Sequence, residues 1–194
     1  MVARPKNYQR QDVIEKALDV FWKKGYAATS LSDLVVATGL NKRSIYNEFG
    51  SKENLFLEVI DEYSKLRAPV IEVLTRQPQG ISNVKLLLQG MAQGIDERGC
   101  LIVLSLNERE LLNETALLKV IDNSANINSL IAKNIKAEFP SLEAEKISAL
   151  IDLISSQTFS IVGMAKAGKD SKSIQAATDL FITLLDKSVE NPKE

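Results

Sequence analysis

Apolar residues in the first quarter of the chain recur at helical spacing. Ile14, Ala17, Leu18 and Phe21 form a stripe at i, i+3, i+4 and i+7, which predicts a helix from about Gln9 to Lys24 closed by Gly25. The pattern then tightens into SLSDLVVATGLNKRSIYNEFGSKENL, residues 30–55. Leu31, Leu34 and Val35 give a short helix one apolar side, and Gly39 ends it, because glycine enters the left-handed region at no steric cost. Asn41 can accept from the free amides of the next turn, so a second short helix starts there and runs to Phe49. At about 100° per residue, Ile45 and Phe49 share its inner side while Arg43 and Asn47 occupy the outermost. Lys42 and Tyr46 lie on one flank and Ser44 on the other. After Gly50, Ser51 caps a further helix.

Two short helices joined by a glycine turn and braced by a longer one make a helix-turn-helix. An apolar anchor, a two-residue polar apex and a basic and phenolic flank suit a helix lying in the major groove, the apex reading base edges and the flank holding phosphates. Lys52, beside the free amides of a helix start, supplies a further phosphate site. The candidate DNA-contacting set is Ser30, Lys42, Arg43, Ser44, Tyr46, Asn47 and Lys52. Trp22 is expected to be a core anchor of the first helix. Lys23 and Lys24 are expected to complement its dipole.

Beyond residue 56 the pattern stays helical. Breaks at 77–80, 94–99, Asn113, 139–141 and 168–171 leave about six segments. The first, about Lys52 to Arg76, would span about 36 Å as one helix and joins the DNA-binding part to the body. In the last two, about Leu142 to Ala167 and Ser171 to Val189, apolar residues fill more than one stripe. Ile147, Leu150, Ile151, Ile154 and Ile161 can face the body while Leu153, Ser160 and Met164 point elsewhere; Ile174, Ala177, Phe181, Leu184 and Leu185 make a broad face. Such helices are either deeply buried in a bundle or shared between the body and a two-fold dimer interface.

The net charge of −1 on 194 residues looks wrong for a DNA binder until it is divided by region. Residues 1–54 hold nine Lys and Arg against six Asp and Glu, a sum of +3, and the remainder fifteen against nineteen, a sum of −4. Arg4, Lys6 and Arg10 precede the first acid. Hydrophobic content of 45% fills a large core. No uninterrupted apolar run approaches a membrane span and the N-terminus lacks the hydrophobic stretch of a signal peptide, so a cytoplasmic protein is expected. One cysteine allows no internal disulfide. The chain has no histidine, no GxSxG, no phosphate loop and no Cys or His metal spacing, so no catalytic residue, metal or cofactor is assigned.

The run FWKKGYAATSL followed by DLVVATGLNKRSIYNEFGSKENLF resembles the TetR family of bacterial transcriptional regulators. Many members carry Gly after the lysine of the recognition helix and an aromatic or His before its Phe. Here Arg43 and Glu48 hold those places, and Glu48 can accept from a cytosine amine or face water. The resemblance implies an all-α protein of about nine helices, with a three-helix helix-turn-helix domain at 1–51 and a larger effector-binding and dimerisation domain at 52–194. It also implies a homodimer through the last two long helices on a palindromic double-stranded operator, its recognition helices about 34 Å apart. The expected activity is repression relieved by a small-molecule or thiol-reactive effector. A helical ligand-binding or protein-interaction module without operator binding is the alternative.

GIDERGCLIVLSLNERELLN is similar to a TetR subgroup with a glycine-cysteine-apolar start to the sixth helix. There, Arg98 and the helix dipole would favour a Cys100 thiolate able to sense oxidants or electrophiles; otherwise Cys100 is a small buried hydrophobe. Tyr63, Met91, Cys100, Leu104, Asn107, Gln157 and Phe159 are the candidate effector-binding residues.

Overall fold

The computed structural model describes residues 8–190. Among them are nine α-helices: α1 (Arg10–Lys24), α2 (Leu31–Thr38), α3 (Lys42–Phe49), α4 (Lys52–Ile71), α5 (Ile81–Gly94), α6 (Leu101–Asn107), α7 (Glu114–Glu138), α8 (Ala144–Lys166) and α9 (Ser171–Glu190). Arg4, Lys6 and the tail from Asn191 lie outside the described residues.

Local chemistry sets the boundaries of the first helices. Ser30 and Asp33 form a reciprocal cap on α2: the Ser30 hydroxyl accepts from the Asp33 amide at 3.1 Å, and the Asp33 carboxylate accepts from the Ser30 amide at 2.9 Å. Gly39 closes α2 at φ +73°, where a side chain would be strained. The Asn41 side chain accepts from Ser44 N at 2.8 Å to start α3, and Ser51 Oγ does the same for α4 from Asn54 N at 3.1 Å.

The first core is aromatic. Phe21, Phe56, Tyr26 and Trp22 pack with Leu34, Ile45 and Leu55, and Leu101, Ile102, Ala116 and Val120 from the body join the same cluster. The three-helix unit is therefore seated on α4, α6 and α7 rather than tethered to them. A second core gathers Leu74, Leu88, Ile135, Leu150, Ile161 and Leu185 from the body helices.

Two expectations change. The 52–76 segment is not one helix: α4 ends at Ile71 and a 3₁₀ turn follows over Glu72–Thr75. Pro69 lacks the N–H that would bond back to residue 65. The connecting helix of 20 residues is about 30 Å long rather than about 36 Å. Second, α8 at 23 residues is long and apolar enough to cross a bilayer by length and composition. Its apolar character is an average over the helix, since Asp152, the serines at 155 and 156, and Gln157 interrupt the stretch. In the fold, Ile147, Leu150, Ile154 and Ile161 pack into the second core while Leu153 on the opposite side is 45% exposed.

Candidate nucleic-acid interface and effector cavity

The sequence of α3 divides into an anchor and a presented surface. Ile45 and Phe49 are buried, at 0% and 5% exposure. Lys42, Arg43, Tyr46 and Asn47 are exposed and Ser44 partly so. None of the first four is engaged by a side-chain hydrogen bond or ion pair within the described residues, so their donors are available to a ligand. Ser30 is also exposed, but its hydroxyl is occupied in the α2 cap, where it donates to Asp33 Oδ2 at 2.7 Å.

Glu48 does not join that surface. Its carboxylate is 7% exposed and lies 3.2 Å from Arg10 Nε, and Tyr8 Oη donates to it at 2.8 Å. Arg10 also pairs with Glu58 on α4 and sits over the Phe49 ring at 4.9 Å. The acid staples α3 to the start of α1, and neither a cytosine amine nor bulk water is its partner.

Lys52 is likewise turned inward. Its ammonium donates to the carbonyls of Tyr26 at 2.9 Å and Thr29 at 2.7 Å and lies 4.2 Å from the centre of the Tyr26 ring. Partial burial lowers its pKa from the ordinary lysine value. The phosphate role expected for this ammonium is replaced by a structural one: it ties the α1–α2 turn to the start of α4.

In the body, α4, α5, α6, α7 and α8 enclose a mainly apolar cavity of about 90 Å³. Of the residues expected there, Tyr63, Met91, Cys100 and Phe159 line it. The other three do not. Leu104 and Asn107 lie on the side of α6 turned from the cavity, which receives Ile102, Val103 and Leu106 instead. Gln157 is buried between α8 and α9, where its Nε2 donates to Thr178 Oγ1 at 3.4 Å. Sequence reasoning missed Arg67, Ser64, Asn123, Asn128, Ser155 and Thr158. Arg67 and Ser155 carried a signal, lying four residues from Tyr63 on α4 and from Phe159 on α8 and so on the same helix faces.

Comparison with known proteins now bears on this geometry. Residues 13–59, which span α1 to the first half of α4, match the family model described as bacterial regulatory proteins, tetR family. The chain is 50% identical over 60 residues to the HTH-type transcriptional repressor ComR of Escherichia coli K12, a match covering 31% of this chain and 29% of ComR. It is 24% identical over 196 residues to the HTH-type transcriptional regulator YezE of Bacillus subtilis 168, covering 95% and 100% of the two chains. A cysteine-substituted form of the TetR family transcriptional regulator CifR, solved with a 26 bp double-strand operator DNA, superposes with a TM-score of 0.78 at 26% identity, covering 93% of this chain and 98% of that one. Residues 13–59 thus match the N-terminal domain of the TetR family, whose members are transcriptional regulators and not enzymes. A TetR regulator from Chloroflexus aurantiacus shares the fold, with a TM-score of 0.76 at 23% identity over 91% and 93% of the chains.

The α6 region holds this TetR-like helix-turn-helix unit at two points. At its start, the Trp22 indole donates to the Gly99 carbonyl at 2.8 Å, and the Trp22 ring meets Tyr63 edge-on at 5.0 Å. At its end, the Glu108 carboxylate accepts from Tyr26 N at 2.8 Å and, more weakly, from Ala27 N at 3.4 Å. Glu108 presses so closely on Gly25 that an added Cβ would fall 2.5 Å from its Oε1. Arg98 does not turn toward Cys100. Its guanidinium chelates Asp96, reaches Asp19 at 3.0 Å and stacks 3.9 Å over Trp22. The cationic help expected for a thiolate is spent on holding α1.

Proposed function

We propose that this protein is a homodimeric, operator-binding transcriptional repressor of the cytoplasm, released from DNA when a small-molecule or thiol-reactive effector enters the body cavity. The single observation that carries the reading is the division of α3: a buried Ile45 and Phe49 hold rigid a helix whose exposed Lys42, Arg43, Tyr46 and Asn47 have no competing side-chain partner among the described residues. Arg43 and Asn47 would read base edges, with Lys42, Ser44 and Tyr46 on phosphates. Backbone amides at the start of α4 add anion-facing donors, although the Lys52 side chain does not and both Ser30 donors are spent on Asp33.

Dimerisation through α8 and α9 is supported by what those helices leave uncovered. Leu153 on α8 is 45% exposed, and Leu180 and Leu184 on α9 are 61% and 56% exposed. Ser156, Ser160 and Gly163 continue the Leu153 stripe at helical spacing and are small enough for close helix approach. A second copy related by a two-fold axis would cover this face as a four-helix bundle. It would set two α3 helices about 34 Å apart, one turn of DNA.

Release would run through helices shared by both functions. Tyr63, Ser64 and Arg67 of α4 and Cys100, Ile102, Val103 and Leu106 around α6 line the cavity, while α4, Gly99 and Glu108 hold the α1–α2 unit. A ligand that shifts α6 therefore moves two attachment points of the DNA-binding unit, and coupling of about 1–3 kcal/mol changes operator affinity roughly 5- to 150-fold. The test is a gel shift of the full-length protein on the DNA flanking its own gene at rising salt. Shifted complexes with that DNA, outlasting those with random DNA as salt rises, support the reading. Equal or absent binding to both favours the module without operator binding.

A further inference from the structure

The cavity's polar equipment is one-sided. Tyr63 Oη is buried and makes no hydrogen bond of normal geometry among the described residues, although the Cys100 sulfur and the Leu101 backbone lie near it. Burial, reinforced by the neighbouring Cys100 sulfur, raises its pKa far above the ordinary tyrosine value, so the phenol stays a neutral donor. Its ring is fixed edge-on against Trp22. Arg67, one helical turn on, is the only charged residue among those lining the cavity. No carboxylate within the described residues pairs with it. Asn128 points the same way: its Oδ1 accepts from Ser155 Oγ at 3.2 Å, which leaves the amide hydrogens as its available contribution. Ser64, by contrast, already donates to Asn123 Oδ1 and the Ile60 carbonyl. No Asp, Glu or Lys lines the space. The remaining wall is apolar, with Leu87, Met91, Ile102, Ile127 and Phe159 on several sides.

An orphaned buried donor costs stability until something accepts from it, and the half-buried Arg67 guanidinium suits an anion with two parallel acceptor oxygens. We propose that the cavity binds a small apolar carboxylate, its two oxygens meeting Tyr63 Oη and the Arg67 guanidinium and its hydrocarbon part lying among Leu87, Met91 and Ile127. This inference rests on the reading of the cavity as the effector site and adds the chemical class of the effector. Size restricts the class further. A space of about 90 Å³ is smaller than the ~150 Å³ that takes benzene in an engineered apolar cavity. The buried portion is therefore a short acyl chain, and a longer one would leave past Phe159, which is 39% exposed.

The test uses the full-length protein and three probes of one shape: hexanoate, hexanamide and hexylamine. Affinity is read by calorimetry and by the shift in melting temperature. Hexanoate is expected to bind at least tenfold more tightly than hexanamide, and hexylamine to give no shift. Tyr63→Phe, which keeps the ring, should weaken hexanoate about tenfold, and Arg67→Gln should erase the preference for hexanoate over hexanamide. Circular dichroism melting of both variants checks that each is folded. Equal binding of acid and amide, tighter binding of the amine, no shift with any of the three, or an acid preference that survives Arg67→Gln would each overturn the proposal. Operator binding is measured in parallel: hexanoate that binds with the expected preference but leaves the operator complex intact upholds the ligand class and sinks the release mechanism instead.

Discussion

Replacing Lys52 by Met separates the two roles this side chain could have. The substitution keeps the aliphatic stem and removes the ammonium, so the Tyr26 and Thr29 carbonyls lose the donors that meet them at 2.9 and 2.7 Å. Tyr26 and Thr29 are themselves buried, at 6% and 1% exposure. Leaving such a group unpaired costs about 1–3 kcal/mol each. Removing a partly buried cation returns part of that, since burial already disfavours its charged form. Losing the contact with the Tyr26 ring takes away about 0.5–1 kcal/mol more. The net expectation is a loss of about 2–3 kcal/mol, or roughly 4–10 °C in melting temperature for a chain of this size. Urea unfolding at fixed protein concentration measures it. The reasoning is refuted if stability changes by less than about 0.5 kcal/mol while affinity for all DNA falls and the slope of log affinity against log salt drops by about 0.9, the signature of one lost phosphate contact.

Other consequences follow from particular contacts. Asp33 has its pKa lowered, first by Lys24 and then by the Ser30 backbone and hydroxyl. Its contribution is complete above the unfolded carboxyl value of about 3.9 and is lost as pH falls below that. Asp33→Asn should therefore flatten the acid limb of a stability-against-pH curve, and an unchanged limb would remove Asp33 from the account. Leu180→Glu combined with Leu184→Glu should convert the proposed dimer to a folded monomer by light scattering, since both side chains are exposed in one copy; a dimer that persists would place the interface elsewhere. Cys100→Ser should abolish release of the operator complex by thiol-reactive compounds, and a response equal to wild type would exclude the thiol as the sensor.

What the sequence made legible was local. The caps at Asn41 and Ser51, and the inward Ile45 and Phe49 of α3, depend on neighbours within one or two turns, and local sequence places them; the Ser30 cap, equally local, is absent from the sequence reading, which gives that serine to DNA. Glu48, Lys52 and Arg98 were misjudged because their partners lie far along the chain, at Arg10, at Tyr26 and Thr29, and at Asp19. A helical wheel shows that Glu48 stands beside the inner face but not that an arginine waits there. The cavity was half legible for the same reason. Tyr63 and Cys100 drew notice as chemistry-bearing residues near a helix start or on the connecting helix, whereas Asn128 and Ser155 become neighbours only when α7 packs on α8. Leu104 and Asn107 failed by rotation about α6: the face at 102, 103 and 106 turns inward, which leaves them outside.

The most direct measurement of the central claim is fluorescence anisotropy of wild type, Arg43→Ala and Asn47→Ala on DNA flanking the protein's own gene and on a scrambled duplex of equal length. The account predicts that each substitution costs about 1–3 kcal/mol on the cognate site and little on the scrambled one, with base preference relaxed at one position per half-site. Equal loss on both duplexes, or no loss on either, would contradict the assignment of the exposed face of α3 as the surface that reads DNA.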